Sequence, residues 1–282
     1  MSDNKTFSLG GDLEVNRLGF GAMRIVGDGI WGDPKDPENS RRVLRRAVEL
    51  GVNFIDTADS YGPVVSERLI GEALVPYPKD VVIATKGGLT RQGPNRWAPV
   101  GRPEYLIQQL ELSLRALKRE TIQLWQLHRI DPKTPVEESL GAMKDMQKQG
   151  KIQHIGLSEV KVPEIEQARK VVEIVSVQNK YNLGDRAHED VLKYCEEHKI
   201  AFIPWFPVAA GKLVQPGGTL DAAAKKHGIT LSQISIAWLL HHSPVILPIP
   251  GTSSVAHLEE NLKAADVQLT DAEWAEIEKA AA

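Results

Sequence analysis

Strand-like and helix-like stretches alternate eight times along this chain, and few folds accommodate that rhythm. RLGFG (17–21) precedes SRRVLRRAVELG, where Val43, Leu44, Ala47 and Val48 follow a 3.6-residue period, Ser40 is the expected N-cap and Gly51 the expected stop. NFIDT (53–57) precedes SERLIGEAL, and VVIATK (81–86) precedes PEYLIQQLELSLRALK, with Pro103 at a favoured helix start. IQLWQLH (122–128), IQHIGLS (152–158), IVSVQNK (174–180), IAFIPWF (200–206) and VILPIPG (245–251) complete the series, each with a helical pattern behind it. The runs are apolar throughout, as expected of parallel strands buried between a core and a helical layer. Eight such units predict an α/β fold closed as a (β/α)8 barrel, the TIM barrel, rather than an open sheet.

Residues 5–16 predict a β-hairpin around Gly10 and Gly11, and Thr270 is the expected N-cap of an extra C-terminal helix. No Pro/Gly/Ser-rich linker or composition break interrupts the 282 residues, so 1–282 is expected to be one domain, as α/β barrels of about 250 residues commonly are. A net charge of −3 gives no electrostatic footprint for nucleic acid or an anionic membrane. No apolar run approaches a membrane span, and MSDNKTFSLGG lacks the features of a secretory signal, so a cytoplasmic monomer is expected. The single cysteine, Cys195, sits in the helical pattern DVLKYCEEHK and reads as a packed thiol.

Polar residues end the strand patterns. Asp56, Lys86, His128, Ser158 and Gln178 close the second to sixth strands at intervals of 30, 42, 30 and 20 residues. Each interval takes the chain once through loop, helix and return strand, so in a barrel these side chains gather at the C-terminal mouth. Tyr61, in the loop DTADSYG, can lean over the same mouth. A lysine ammonium beside its phenol is expected to lower a pKa that is about 10 when free. Asp56 keeps Lys86 charged, and a neutral His128 can aim a carbonyl oxygen at Tyr61, which makes a proton donor beside an oxyanion site. Each residue alone has an ordinary structural explanation; four polar side chains on three successive strand ends do not. Metal catalysis finds no support, because the eight histidines fall at no ligand spacing. Gly27, Gly29 and Gly32 match the Rossmann fingerprint as a string, but Pro34 and Pro37 follow where its helix should begin.

With those residues in view, the chain resembles the aldo-keto reductase family over nearly its whole length, in RLGFGAM, FIDTADSYG, ATKGG, LHRID, HIGLSE, VQNKYN, PWFPVAAGKL and PIPGTSSVAHLEENL. The resemblance implies a reductase of aldehydes and ketones using a nicotinamide cofactor, with Asp56, Tyr61, Lys86 and His128 as the catalytic tetrad and Tyr61 as general acid. It further implies that Ser158 and Gln178 hold the nicotinamide carboxamide, Trp205 stacks on the ring, and Gly21, Ala22 and Met23 flank the ribose. Phe206, Pro207 and Val208 continue the cofactor wall. Gly251, Thr252, Ser253, Ser254 and His257 form the adenosine 2′-phosphate pocket, with Glu260 and Asn261 at the adenine. The free N–H groups of the helix opened by Thr252, Ser253 and Ser254 suit an anion.

Three departures from the family pattern stand out. Glu159 replaces an Asn, so a carboxamide contact is missing or replaced; Phe206 replaces a small polar residue and narrows the cofactor tunnel. Gly251 and His257 replace the Lys and Arg that often clamp the phosphate, so NADP(H) is favoured with NAD(H) as the alternative. PIPGTSSVAHLEEN, SYGP and VQNKYN look most like bacterial members that include pyridoxal reductases. The short chain predicts an open pocket for small aldehydes, walled by Met23, Trp31, Tyr61, Trp97 and His128. Two alternatives stand beside this reading: a redox-sensing regulatory barrel with vestigial activity, and a hydrolase pairing Asp56 with Asp59 or Glu159.

Overall fold

The computed structural model describes residues 5–207 and 219–281. The N-terminal hairpin pairs β1 (Thr6–Leu9) with β2 (Leu13–Asn16) in antiparallel register, turning at Gly10 and Gly11, whose φ values of 65° and 85° favour glycine. Leu9 and Val15 are fully buried and pack with Phe54, Val82, Leu124, Ile203 and Leu247 from the barrel interior. The hairpin therefore plugs the bottom of the barrel with the apolar face that its own two strands cannot bury.

Seven parallel strands follow in one curled sheet. In chain order they are β3 (Phe20–Gly21), β4 (Phe54–Asp56), β5 (Val82–Gly87), β8 (Ile122–Leu127), β9 (Ile152–Ser158), β10 (Ser176–Gln178) and β11 (Ala201–Phe202). Between β5 and β8 a second hairpin, β6 (Leu89–Gly93) with β7 (Arg96–Pro99), rises from the mouth. Residues 245–250 supply the eighth stave, although they form no full strand. Ile246 bridges Phe202, Leu247 N donates to Phe202 O at 2.8 Å, and Phe202 N donates to Val245 O at 2.9 Å. On the other side Gly19 N and Gly21 N donate to Pro248 O and Pro250 O at 2.9 and 3.4 Å. The two prolines have no N–H to return, so this seam is held by their carbonyls alone and the expected eighth ladder is reduced to single bonds. The barrel is nevertheless closed, a (β/α)8 fold with additional C-terminal helices.

Ten α-helices are described: α1 (Pro37–Glu49), α2 (Val65–Leu74), α3 (Pro103–Leu117), α4 (Val136–Lys148), α5 (Val162–Arg169), α6 (Glu189–His198), α7 (Thr219–His227), α8 (Leu231–His242), α9 (Val255–Leu262) and α10 (Asp271–Ala281). Their inward faces meet the outer faces of the strands in one continuous apolar cluster that includes Leu44, Leu69, Leu110, Trp125, Leu140, Ile165 and Trp238. Ser40 is not the cap of α1. Asp36 accepts from Asn39 N at 2.9 Å, Pro37 takes the first helical position, and Ser40 lies inside the helix with its hydroxyl donating to Ile25 O. Gly51, by contrast, ends α1 with φ 90°, and Thr270 caps α10 by accepting from Glu273 N. Cys195 is buried with a free thiol. Among the described residues no helix is long and apolar enough to cross a membrane.

Candidate active site

The parallel register brings every strand end to one rim. Asp56 pairs with Ala84, Lys86 with Gln126, and Gln178 with Ser158 across neighbouring strands. Around them lies a cavity of about 680 Å³, which reaches from Trp97 and His128 to Gly251 and Asn261.

Lys86 is fully buried, and its Nζ donates to Asp56 Oδ2 at 2.7 Å, to Thr57 O at 2.8 Å and to Tyr61 Oη at 3.4 Å. Burial works against the ammonium, but Asp56 and Tyr61 outweigh it and the pKa of Lys86 stands above its ordinary value. Asp56 is fixed from the other side: Gln178 Nε2 and Gln126 Nε2 donate to its Oδ1 at 2.7 and 3.3 Å. For Tyr61 the balance runs opposite to the expectation from sequence. Burial of the phenol outweighs the pull of Lys86, and its pKa is raised rather than lowered. His128 Nδ1 lies 3.3 Å from Ser60 Oγ, and its ring meets Tyr61 edge-on at 6.0 Å between centroids. Burial, reinforced by Lys86 and Arg129, holds His128 well below its usual pKa, so it is a neutral imidazole. The arrangement can deliver a proton from Tyr61 to an oxygen held between the phenol and the imidazole.

Compared with known proteins, residues 17–282 match the model of the aldo/keto reductase family. The chain belongs to the aldo/keto reductase family. It is 55% identical over 269 residues to an uncharacterised oxidoreductase of Schizosaccharomyces pombe, covering 95% of this chain and 88% of that protein. It is 43% identical over 277 residues to pyridoxine 4-dehydrogenase of Escherichia coli, covering 96% of each. Its structure superposes on the thermostable aldo-keto reductase Tm1743, solved with the inhibitor epalrestat, with a TM-score of 0.85 at 31% identity, covering 98% of this chain and 99% of that one. It is an oxidoreductase by family.

Within the aldo/keto reductase barrel, the cavity wall includes Gly21, Met23, Asp56, Tyr61, Trp97, His128, Ser158, Gln178, Trp205, Phe206, Pro207, Gly251 and Asn261, all expected from the sequence. Other expected residues lie elsewhere. Ala22 is buried beneath the wall, and its carbonyl accepts from Ser66 Oγ. Trp31 is 37% exposed and does not line the cavity; its neighbour Ile30 does. The sequence missed the cause, which is a single side chain. Arg91 donates to the carbonyls of Gly29, Ile30 and Ser60, lies over Trp97 at 3.6 Å, and leaves Trp31 on its outer side at 5.6 Å. Ser253 and Ser254 face a second cavity beside α1, where Asn39 Nδ2 donates to Ser253 O. His257 is exposed in the first turn of α9, where Ser254 Oγ accepts from its N–H, and Thr252 Oγ1 accepts from Ser254 N. The Glu260 carboxylate accepts from Thr230 Oγ1 instead of facing the cavity. Val208 lies outside the described residues.

Two departures from the family pattern acquire a physical reason. A Cβ at Gly251 would lie 2.5 Å from the Gly21 carbonyl oxygen, so this backbone admits no lysine there. Glu159 occupies the left-handed region at φ 56°, a conformation Asn tolerates better. Its carboxylate turns away from the cavity and accepts from Lys180 N and Trp205 Nε1. Phe206 (φ 59°) stands edge-on to Trp205 and is 46% exposed, on the cavity wall as expected.

The donor set suits a nicotinamide dinucleotide. Gln178 spends its amide N–H on Asp56, which leaves its carbonyl oxygen as an acceptor beside the Ser158 hydroxyl, the complement of a carboxamide. The free N–H groups of α9 suit a phosphate at the far end. No cluster of three or more His, Cys, Asp or Glu able to hold a metal occurs among the described residues. A carboxylate-pair hydrolase fits poorly: neither Asp59 nor Glu159 lines the cavity, and the Asp56 carboxylate is committed to Lys86 and two glutamines.

Proposed function

We propose that this chain reduces aldehydes and ketones to alcohols with NADPH, pyridoxal and other small aldehydes among them, and that residues 1–282 act as one catalytic unit. The reading rests chiefly on one contact set: a buried ammonium within hydrogen-bonding distance of both a carboxylate and a tyrosine hydroxyl, on a cavity that also holds a neutral histidine. The 43% identity to pyridoxine 4-dehydrogenase supports the substrate suggestion.

In this mechanism Ser158 and Gln178 would hold the nicotinamide carboxamide, Trp205 the ring, Gly21 and Met23 the ribose, and the loop from Gly251 to Ser254 the phosphate. When bound, the cofactor supplies the hydride. His128 donates through Nε2 to the substrate oxygen and holds it toward Tyr61. Tyr61, kept protonated by burial, gives its proton as negative charge develops on that oxygen, and Lys86 stabilises the phenolate left behind. Asp56 keeps Lys86 charged through the cycle. In the oxidation direction Tyr61 takes the proton back.

The test is NADPH consumption with pyridoxal and benzaldehyde by wild type and Tyr61→Phe. Tyr61→Phe should lose activity by a factor of about 100 or more while binding the cofactor normally, as expected when a proton donor is removed from the transition state. An active phenylalanine variant would refute the assignment. NADH measured alongside NADPH decides the cofactor preference.

A further inference from the structure

Arg129 follows His128 at the mouth end of β8 and lines the same cavity. Burial holds its pKa below the ordinary range. Its Nη1 donates to His128 O at 2.6 Å and to Ser158 Oγ at 3.1 Å. Nε and Nη2 make no hydrogen bond among the described residues and are not sealed off, on a side chain that lines the cavity. Its charge acts on both Tyr61 and His128, so the guanidinium sits at the carbonyl end of the cavity and not at the adenosine end.

A guanidinium cannot shed its proton, and enclosing one without an anion in contact is costly. At this end of the cavity Lys86 is matched by Asp56, and Tyr61 carries its proton. The carboxylate that attracts Arg129, Glu159, accepts through Oε1 from Lys180 N and Trp205 Nε1 and forms no ion pair with the guanidinium. The guanidinium therefore has no anion in contact among the described residues, and Glu159 offsets its charge only at longer range. The facing walls are apolar and aromatic, formed by Met23, Ile30, Leu89, Trp97 and Phe206. That combination suits a flat ring carrying an anionic oxygen close to its carbonyl.

We propose that Arg129 is a specificity-determining residue that binds an anionic oxygen on the ring atom next to the one bearing the aldehyde, so that aromatic aldehydes with an ionised ortho hydroxyl are favoured substrates. The inference rests on the reductase reading above. A charge-assisted pair from Nε and Nη2 to that oxygen fixes the ring while the aldehyde faces Tyr61 and His128.

The test compares kcat/KM for 2-hydroxy-5-nitrobenzaldehyde, whose nitro group keeps the phenol ionised, with its neutral O-methyl ether and with the para isomer 4-hydroxy-3-nitrobenzaldehyde. Intrinsic reactivity cancels when the ortho-to-ether ratio of wild type is divided by that of Arg129→Met. The wild-type ratio should exceed that of Arg129→Met by about 10- to 100-fold, the scale of a hydrogen bond to a charged group, whereas the para-to-ether ratio should be the same in both proteins. Equal ortho ratios overturn the proposal. Should Arg129→Met fail to fold, inhibition of wild type by 2-hydroxy-5-nitrobenzyl alcohol and by its methyl ether replaces it; the ionised alcohol should bind more tightly, and equal inhibition overturns the proposal. Reduction of the methyl ether without any role for Arg129 refutes this inference alone, while failure to reduce any aldehyde removes the reductase reading and this inference with it.

Discussion

Trp205 donates its indole N–H to Glu159 Oε1 at 2.5 Å, and the same oxygen takes the backbone N–H of Lys180 at 2.7 Å. The ring that walls the cavity is thus oriented by a residue held in a left-handed conformation two strands away in sequence. Glu159→Ala frees the indole and should raise KM for the nicotinamide cofactor by about 5- to 15-fold, the scale of one lost hydrogen bond. Glu159→Gln keeps an acceptor at the same reach and should stay within about threefold of wild type. Similar losses in both variants would show that the charge, not the acceptor, matters.

Lys86 and Asp56 form a buried pair, with the lysine fully enclosed and Asp56 only 2% exposed. Lys86→Met leaves Asp56 as an uncompensated buried charge and should cost about 3–5 kcal/mol in denaturant unfolding, beyond its effect on activity. Adding Asp56→Asn to Lys86→Met should recover part of that stability without recovering turnover. A double variant less stable than Lys86→Met would contradict this account.

The pH profile follows from Tyr61 and His128. Burial raises the phenol above its usual pKa, so reduction should not lose its acid until the pH passes about 10. His128 is depressed well below its usual value, so it stays neutral through the same range. The rate of reduction should therefore be flat from about pH 6 to about pH 9. A fall centred near neutrality would mean that a different group delivers the proton.

Glu67 makes stability depend on pH in the opposite sense from a salt-bridged acid. It is buried behind the site, accepts from Thr85 Oγ1 at 2.5 Å, and burial pushes its pKa up to about 7. The unfolded chain releases this proton near its ordinary value of 4.5 while the folded protein holds it, so stability falls as pH rises from about 4.5 to about 7 and then levels. The loss is of the order of 3 kcal/mol, at about 1.4 kcal/mol for each tenfold change in proton affinity. Asp59, also buried, is raised well above its usual value by burial and by Glu67, which outweigh hydrogen bonds from Ser60, and adds to the same slope. Glu67→Gln keeps the Thr85 bond and should flatten thermal melting between acid and neutral pH. Parallel curves for the two proteins would assign the slope elsewhere.

Cofactor preference can be shifted at one position and not at another. His257→Arg adds a bidentate phosphate ligand at the exposed first turn of α9 and should lower KM for NADPH by about 3- to 10-fold, with little change for NADH. Gly251→Lys meets the Gly21 carbonyl and should destabilise the barrel seam instead. Equal effects of His257→Arg on both cofactors would place the phosphate elsewhere.

Much of the fold and of the site is legible in the amino-acid sequence. The strand ends carrying Asp56, Lys86, His128, Ser158 and Gln178 announce a shared rim because each lies one loop–helix–strand excursion from the next. What stayed hidden was non-local. The hairpin of β6 and β7 is short and weakly alternating, and only the φ > 0 residues Gly93 and Asn95 flanking Pro94 hint at its turn. The eighth run reads as an ordinary strand, but its prolines thin the ladder to single bonds. Asp36 displaces Ser40 as a cap because Pro37 starts the helix early. Glu159 looks like a lost contact until the fold brings Trp205 to it. The sign for Tyr61 depends on how completely the phenol is enclosed, which spacing does not reveal.

The reach of Arg91 bears on how the rim of the cavity is held. One planar fork ties the loops after β3 and β4 to the β6–β7 hairpin and carries Trp97 on its face. Three segments of the rim are riveted at a single point, which fixes this part of its outline. Exchanging the aromatic at position 97 can then redraw the opening while the frame around it stays put.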